Sequence, residues 1–355
     1  MPKEHGKYPS AWVAGRPAEL FCDYIINFFC DGFMMFEEKS IEFAQRHRKR
    51  CVNKHQNIRF RASFAVFSLV FPSFFDIIMV DNMQGGKNML QVIQKLLGEE
   101  GITLFAPARL CDCRITRPYL LTRCGIADGT AILFAVPYLA KDSIEANLSA
   151  YAIPRDYHLY FKQLFAHILP YLSEAYPEQR FVGFSDHSPI DEVHAAAIAG
   201  LGIMGDHGLL ITKPYSSFVF LGEIITDAIL PATTQEIETC RHCGACRNAC
   251  PVGLDKSKCL SALTQKKGEL SEEERTALRA HPLVWGCDIC QNACPYTIAA
   301  MRAETLYQAP DFFCTYRLPH LTVDMLDNMS DEFFEERAYA WRGRAVIRRN
   351  LIEQK

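Results

Sequence analysis

Eight of the chain's 15 cysteines fall between Cys240 and Cys294. They run Cys240-x2-Cys243-x2-Cys246-x3-Cys250-Pro251, then Cys259, then Cys287-x2-Cys290-x3-Cys294-Pro295. Three thiolates two residues apart can wrap one face of an iron–sulfur cubane and leave backbone N–H groups free to donate to its sulfides. The fourth cysteine of such a run starts a helix that leads away, so it ligates the other of two clusters. The eight thiols then divide completely, with Cys240, Cys243, Cys246 and Cys294 on one [4Fe–4S] cluster and Cys250, Cys259, Cys287 and Cys290 on a second. Paired four-cysteine zinc sites are the competing reading, but they rarely carry three cysteines at this spacing with a Cys-Pro ending each motif.

Two such clusters, arranged as in a bacterial ferredoxin, relay single electrons, and a relay needs a terminus. The other seven cysteines (Cys22, Cys30, Cys51, Cys111, Cys113, Cys124, Cys314) show no ligand spacing, and Cys111-x-Cys113 reads as a pair of thiols. The N-terminus, Met1-Pro2-Lys3-Glu4-His5, lacks the apolar core of a signal peptide, so a reducing, cytoplasmic setting is expected. A net charge of −3 over 355 residues gives no strong overall pull on nucleic acid or anionic membrane, and 49% hydrophobic residues can build ordinary globular cores.

The elements that must position these groups begin at Met89. Residues 1–88 differ in character, with 12 of the 24 Phe and 12 Lys and Arg against 9 Asp and Glu. The run Ala62–Val80 is long enough to span a bilayer, but Pro72 and Asp76 interrupt it, and no membrane span is expected. The codons for Gln84-Gly85-Gly86-Lys87-Asn88 can hold a purine-rich ribosome-binding sequence before Met89, so residues 1–88 are expected to be an upstream extension. From Met89 helices and short strands alternate: a helix over Met89–Leu97, a buried strand over Thr130–Tyr138, helices over Tyr157–Tyr171 and Ile190–Ala199, and strands at Leu209–Thr212 and Phe218–Leu221. This predicts an α/β domain over 89–232. The strands stop after Glu236. An α-helical two-cluster, ferredoxin-type domain follows over 233–300, with a capping box at Ser271-Glu272-Glu273-Glu274. A short helical C-terminus covers 301–355, charged over Asp324–Gln354. No Gly-x-Gly-x-x-Gly follows a strand, so a dinucleotide fingerprint is missing. Asp156-Tyr157-His158 starts like the Asp-x-His-x-x-Gly loop of some cobalamin enzymes but continues Leu159-Tyr160-Phe161.

Several segments together resemble the epoxyqueuosine reductase family. They are Tyr151-Ala152 with Asp156-Tyr157-His158, Asp186-x-x-Pro189-x-x-Glu192, Ala199-Gly200-Leu201-Gly202-x-x-Gly205, Phe220-Leu221-Gly222-Glu223-Ile224-x-Thr226-Asp227 and Gly286-Cys287-Asp288-x-Cys290-Gln291. The resemblance covers about residues 95 to 350. It implies that the α/β domain binds cobalamin and that the chain reduces the epoxide of epoxyqueuosine at the tRNA wobble position to the cyclopentene of queuosine. Asp186 would be the acid that protonates the expelled oxygen. Asp156, Tyr157, His158, Gly200, Gly202, Gly205 and Ser217 would contact the cofactor, with the glycines letting backbone approach a large flat ligand. A low-potential ferredoxin or flavodoxin would donate electrons to a monomeric enzyme.

Each of these residues also has a plainer reading. Asp186 can cap the helix that follows Pro189, Glu192 can be a first-turn charge, His187 and His194 can be packing or surface histidines, and Ser216-Ser217 can simply form a turn. The chain departs from the family pattern at Ile203, Asp206, His207 and Gly208. Arg342, Arg344, Arg348 and Arg349 can meet phosphates or form a solvated helix face. Two other functions stay open: a corrinoid-dependent reduction of another substrate, and a ferredoxin-like carrier that holds no corrinoid.

Overall fold

The computed structural model describes residues 12–14, 89–143 and 145–354. The apolar run over 62–80 and most of the 1–88 extension lie outside the described residues. Within that extension a three-residue strand, β1 (Trp12–Ala14), is described. Residues 89–355 fall in one compact unit. Among the described residues no helix is long and apolar enough to cross a membrane.

Helix α1 (Met89–Glu99) buries Val92, Ile93, Leu96 and Leu97, the face that its 3.6-residue spacing predicts. β2 (Leu104–Arg109) and helix α2 (Pro118–Cys124, with Pro at its first position) precede β3 (Thr130–Pro137), in which all eight residues are buried. Helix α3 runs Tyr157–Ala175, β4 Phe181–Phe184 and helix α4 Glu192–Ile198. The hairpin β5 (Ile203–Met204) and β6 (Leu210–Ile211) leads to β7 (Val219–Thr226). The main sheet has the order β1-β4-β7-β3-β2, and every pairing is antiparallel.

The two faces of this sheet are covered differently. On one, α3 lies close because β4 and β7 carry glycine beneath it. A Cβ at Gly183 would sit 2.4 Å from the Phe165 ring, and one at Gly222 2.3 Å from Phe161. The other face takes the alternate residues, Leu133 and Ala135 of β3 and Ile225 of β7, and packs them against Ala195, Ala196 and Ala197 of α4. Small residues on α4 let that helix start tight against the sheet. Both α3 and α4 therefore present their N-termini near the end of the sheet that carries Phe220 and Asp186.

Beyond residue 236 the described chain is helical apart from isolated bridges. The capping box forms as read: Ser271 Oγ accepts from the Glu274 N–H while Glu274 accepts from the Ser271 N–H. The stretch 324–354 is several short helices rather than one long one, broken at Asn328–Ser330 and at Gly343, whose φ is +85°. These pieces close around the fully buried Trp285 and Tyr339, together with Leu148, Ala152 and Ile153 from the segment before α3. This second core joins the helical half to the α/β half.

Candidate functional site

Asp186 sits in the turn between β4 and α4 with φ +64°, a left-handed conformation that costs a residue with a Cβ on the order of 1–2 kcal/mol. It does not cap α4; Asp191 does, accepting from the His194 N–H at 3.1 Å. The turn is held from outside by the chain before α2. The Thr116 and Arg117 N–H groups both donate to the Pro189 carbonyl, Asp191 N–H donates to the Arg114 carbonyl, and Arg117 Nη1 donates to the Ser188 carbonyl at 2.9 Å. It is held from within by Glu192, whose Oε1 accepts the Asp186 N–H at 2.9 Å.

Thus fixed, the Asp186 side chain stays 61% exposed and meets the first turn of α3. Tyr157 donates its hydroxyl to the Asp186 carboxylate. His158 Nε2 lies 3.8 Å from the same carboxylate, and its Nδ1 is 2.8 Å from Asp156 Oδ1. Asp156 is buried and also caps α3, accepting from the His158 N–H at 2.9 Å. Of the residues assigned to cofactor contact, Asp156 therefore acts through His158 rather than at the surface. Burial acts against the charged His158, but the hydrogen bond to Asp156 and the nearby charges of Asp156 and Asp186 outweigh it and raise its pKa. Burial, then the Asp186 charge, pushes the Tyr157 phenol well above its usual range, so it remains a donor. The Tyr157 ring stacks on Phe220 of β7 at 4.3 Å, and Phe220 meets Tyr138 at 4.4 Å.

The structure brings the eight thiols together in two groups. Cys240, Cys243, Cys246 and Cys294 line one cavity with Asp206, His207, Ile211 and Tyr296. Cys287 and Cys290 lie among Cys250 and Cys259; burial lifts the Cys287 thiol to about 11 and Cys290 to about 12, and the other thiols of the set add to it. Crowded buried thiols resist ionisation, and cationic iron bound among them would favour the thiolates. Both donor sets fit iron–sulfur clusters. The second set is tied to the α/β half by Asp288, which accepts from Ser149 Oγ at 2.5 Å and from the Ala150 N–H at 2.7 Å.

The remaining residues proposed for cofactor contact are largely occupied by the protein itself. A Cβ at Gly202 would meet the Ile211 carbonyl at 2.5 Å and at Gly205 the His207 ring at 2.5 Å, while Gly200 has φ +81°, so local backbone and packing already account for these glycines. Ser217 is buried and donates to Gln291 Oε1, while Ser216, at φ +48°, pairs with Thr297; the two serines form a turn and pin it to the cluster motif. Asp206 accepts or shares a proton with His242 at 2.7 Å, beside the first thiol set. Three of the four arginines are used internally. Arg344 donates to the carbonyls of Leu326, Met329 and Ser330, Arg348 pairs with Asp327, and Arg349 donates to the Lys266 and Gly268 carbonyls. Arg342 lies over the half-exposed Trp341 ring at 3.7 Å.

The residue whose role the sequence reading left unassigned is Glu223. It lies in mid-sheet, opposite Leu133 and Phe184, and is completely buried. Its signal was a lone carboxylate inside the apolar run Phe220–Thr226.

A signature described as a 4Fe-4S binding domain matches residues 237–253 and 285–297, leaving only Cys259 of the eight thiols outside. Over 212 residues the chain is 34% identical to an epoxyqueuosine reductase from Gloeobacter violaceus, covering 58% of this chain and 65% of that one. The chain is similar in sequence to epoxyqueuosine reductases. An epoxyqueuosine reductase from Listeria monocytogenes is 33% identical over 208 residues, covering 56% of this chain and 53% of that one. The match thus spans between half and two thirds of these reductases' own length. The fold is also shared. An epoxyqueuosine reductase structure from Streptococcus thermophilus aligns with a TM-score of 0.58 at 21% identity, over 74% of this chain and 80% of that one. One in complex with an epoxyqueuosine-modified tRNA stem loop aligns with a TM-score of 0.57 at 21% identity, over 75% and 81%.

Proposed function

We propose that this chain reduces epoxyqueuosine in tRNA to queuosine, with two [4Fe–4S] clusters and cobalamin as cofactors. The observation that carries this reading is the pairing, in a chain 34% identical to an epoxyqueuosine reductase, of two four-thiol sets with an acid site at Asp186. The segment 89–232 would supply the acid and most of the cofactor surface, 233–300 the clusters, and 301–355 the helical support.

The reaction breaks both C–O bonds of the epoxide, forms the C=C bond, and consumes two electrons and two protons to release water. Electrons would enter singly from a low-potential ferredoxin or flavodoxin and pass through the clusters. Bound cobalamin would supply a cobalt centre able to take up two electrons and act on the epoxide carbons. The residues fit such a flat cofactor in two ways. The contacting rings of Tyr138, Phe220 and Tyr157 run from the neighbourhood of Cys290 to Asp186. In the cavity of the first thiol set, His207 carries a buried ring nitrogen without a protein partner. Tyr157, His158 and His207 are the residues that would contact the group. Asp186 would pass a proton to the expelled oxygen while Tyr157 orients its carboxyl group, a role worth roughly 10²–10⁴-fold in rate. The reductase would act as a monomer in the cytoplasm on the anticodon loop.

The test is anaerobic reconstitution of the full chain with iron, sulfide and cobalamin, followed by gel filtration. About eight irons and one corrinoid per chain support the reading. Eight irons without corrinoid would instead make the chain a two-cluster electron carrier.

A further inference from the structure

The second thiol set draws its ligands from two segments that differ in charge and in what they touch. Cys287 and Cys290 belong to the segment fastened to the α/β half: Asp288 accepts from Ser149 Oγ and the Ala150 N–H, Gln291 accepts from Ser217, and Tyr138 lies near Cys290. Cys250 and Cys259 belong to the stretch 240–259, which carries Arg241, Arg247, Lys256 and Lys258 against Asp255 alone. Four cations against one acid stand out in a chain whose net charge is −3.

All four basic side chains are exposed, and none is paired with a carboxylate among the described residues. Their neighbours place them around the thiols. Arg241 stands beside Cys243, the one exposed thiol of the eight. Arg247 donates to the Gly253 carbonyl at 3.2 Å, which ties the helix Ala245–Ala249 to the loop that leads to Cys259. Lys256 reaches the β5–β6 hairpin beside the first set, where a Cβ at Gly208 would lie 3.5 Å from its Nζ. The nearby acids already have partners, Asp206 in His242 at 2.7 Å and Asp255 in the Ser257 N–H and hydroxyl. The four cations therefore border both thiol sets.

We propose that this basic rim is the docking surface for a small acidic protein that carries single electrons, and that the clusters are reduced from the Cys250–Cys259 side. The proposal rests on the two-cluster part of the reading above. Like charges gathered on one loop do not stabilise a fold, but they steer an oppositely charged partner into encounter over about a Debye length, roughly 8 Å at physiological salt. Electron-transfer partners meet through small, transient interfaces, for which such steering sets the rate. Each encounter moves one electron: the carrier is oxidised by one, a cluster is reduced by one, and no bond forms or breaks. An RNA is also drawn to cations, but its modified base has to reach Asp186, which meets Tyr157 and His158 and none of these four residues.

The experiment uses the full chain with about eight irons loaded and an acidic [2Fe–2S] ferredoxin as the carrier, without corrinoid or RNA. Stopped-flow absorbance gives the rate constant for electron transfer between the two, in whichever direction their potentials favour. It should fall at least about tenfold between roughly 50 mM and roughly 500 mM salt. The double variant Lys256→Glu/Lys258→Glu should lower it on the order of ten- to a hundredfold at low salt. Its reduction by photoreduced deazariboflavin should stay within about twofold of wild type, because no long-range charge steers that small neutral molecule. Lys256→Ala/Lys258→Ala serves if the reversed charges impair folding, and should show the same loss in smaller measure. A rate constant that ignores both salt and the substitutions overturns the proposal, as does an equal loss with ferredoxin and deazariboflavin. A double variant that keeps its ferredoxin rate but no longer binds an anticodon stem loop also overturns it and makes the rim an RNA surface. If the ferredoxin results hold and the corrinoid-loaded chain leaves epoxyqueuosine intact, the docking surface stands and only the reductase reading fails.

Discussion

Tyr157 donates its hydroxyl to the Asp186 carboxylate, and the two residues reach each other from different layers of the fold, one at the start of α3 and the other in the turn after β4. The bond engages one carboxyl oxygen of Asp186 and leaves the side chain exposed. Asp186→Asn removes the transferable proton while keeping the shape, and should lower the rate of epoxide reduction on the order of 10²–10⁴-fold. Tyr157→Phe removes only the orienting bond and should cost less, on the order of tenfold. Rates under single-turnover conditions with pre-reduced enzyme check both. Iron content should be unchanged.

The Asp156–His158 contact predicts a pH effect with a definite sign. His158 binds its proton more tightly in the folded chain than in the unfolded one, because Asp156 and Asp186 overcome the opposing effect of burial. Its contribution to stability is then fully present below the unfolded value near 6.5 and is lost as pH rises through the raised folded value. In Asp156→Asn, which keeps a helix cap, the His158 NMR titration should move to lower pH. The stability gap to wild type should be widest in acid and close as pH rises.

The glycines under α3 predict a sharp asymmetry. Gly222→Ala places a Cβ 2.3 Å from the Phe161 ring and 2.8 Å from Phe134, and should destabilise by about 1–3 kcal/mol. Gly98→Ala, where a Cβ meets nothing within 4 Å, should stay within about 0.5 kcal/mol of wild type. Thermal unfolding of the two variants compares them directly.

The two thiol sets predict selective loss. If Cys250, Cys259, Cys287 and Cys290 hold one cluster as proposed, Cys290→Ser should remove or convert only that one. Cys294→Ser should affect only the other. Iron analysis should fall from about eight toward about four per chain in each case. Loss of all iron in either single variant, with the fold intact by circular dichroism, would mean that the sets are not independent.

What the sequence disclosed was whatever rests on short-range chemistry. The cysteine spacing, the Ser271 capping box, the buried strand at Thr130 and the amphipathic face of α1 all depend on residues within a few positions of one another. The misses have physical causes as well. β2 carries Pro107 and no clean alternation, which an edge strand tolerates, and β4 is four residues long with Gly183 inside it. The C-terminal stretch looked continuous because the break at Gly343 is a matter of backbone conformation within a charged run. Asp186 reads equally well as a helix cap, and the clasp from Thr116 and Arg117 on the turn that holds it is a contact across more than 70 positions. Arg344 and Arg349 could be read as phosphate contacts or as a solvated helix face, and the carbonyls they bind are neither.

The measurement that tests the central claim most directly is conversion of an epoxyqueuosine-containing anticodon stem loop by the reconstituted, corrinoid-loaded chain under anaerobic reduction, read by mass spectrometry of the released nucleoside. The account predicts loss of one oxygen to give queuosine in wild type and none above background in Asp186→Asn. A protein with full iron and corrinoid that leaves epoxyqueuosine intact, or an Asp186→Asn variant as active as wild type, would contradict it.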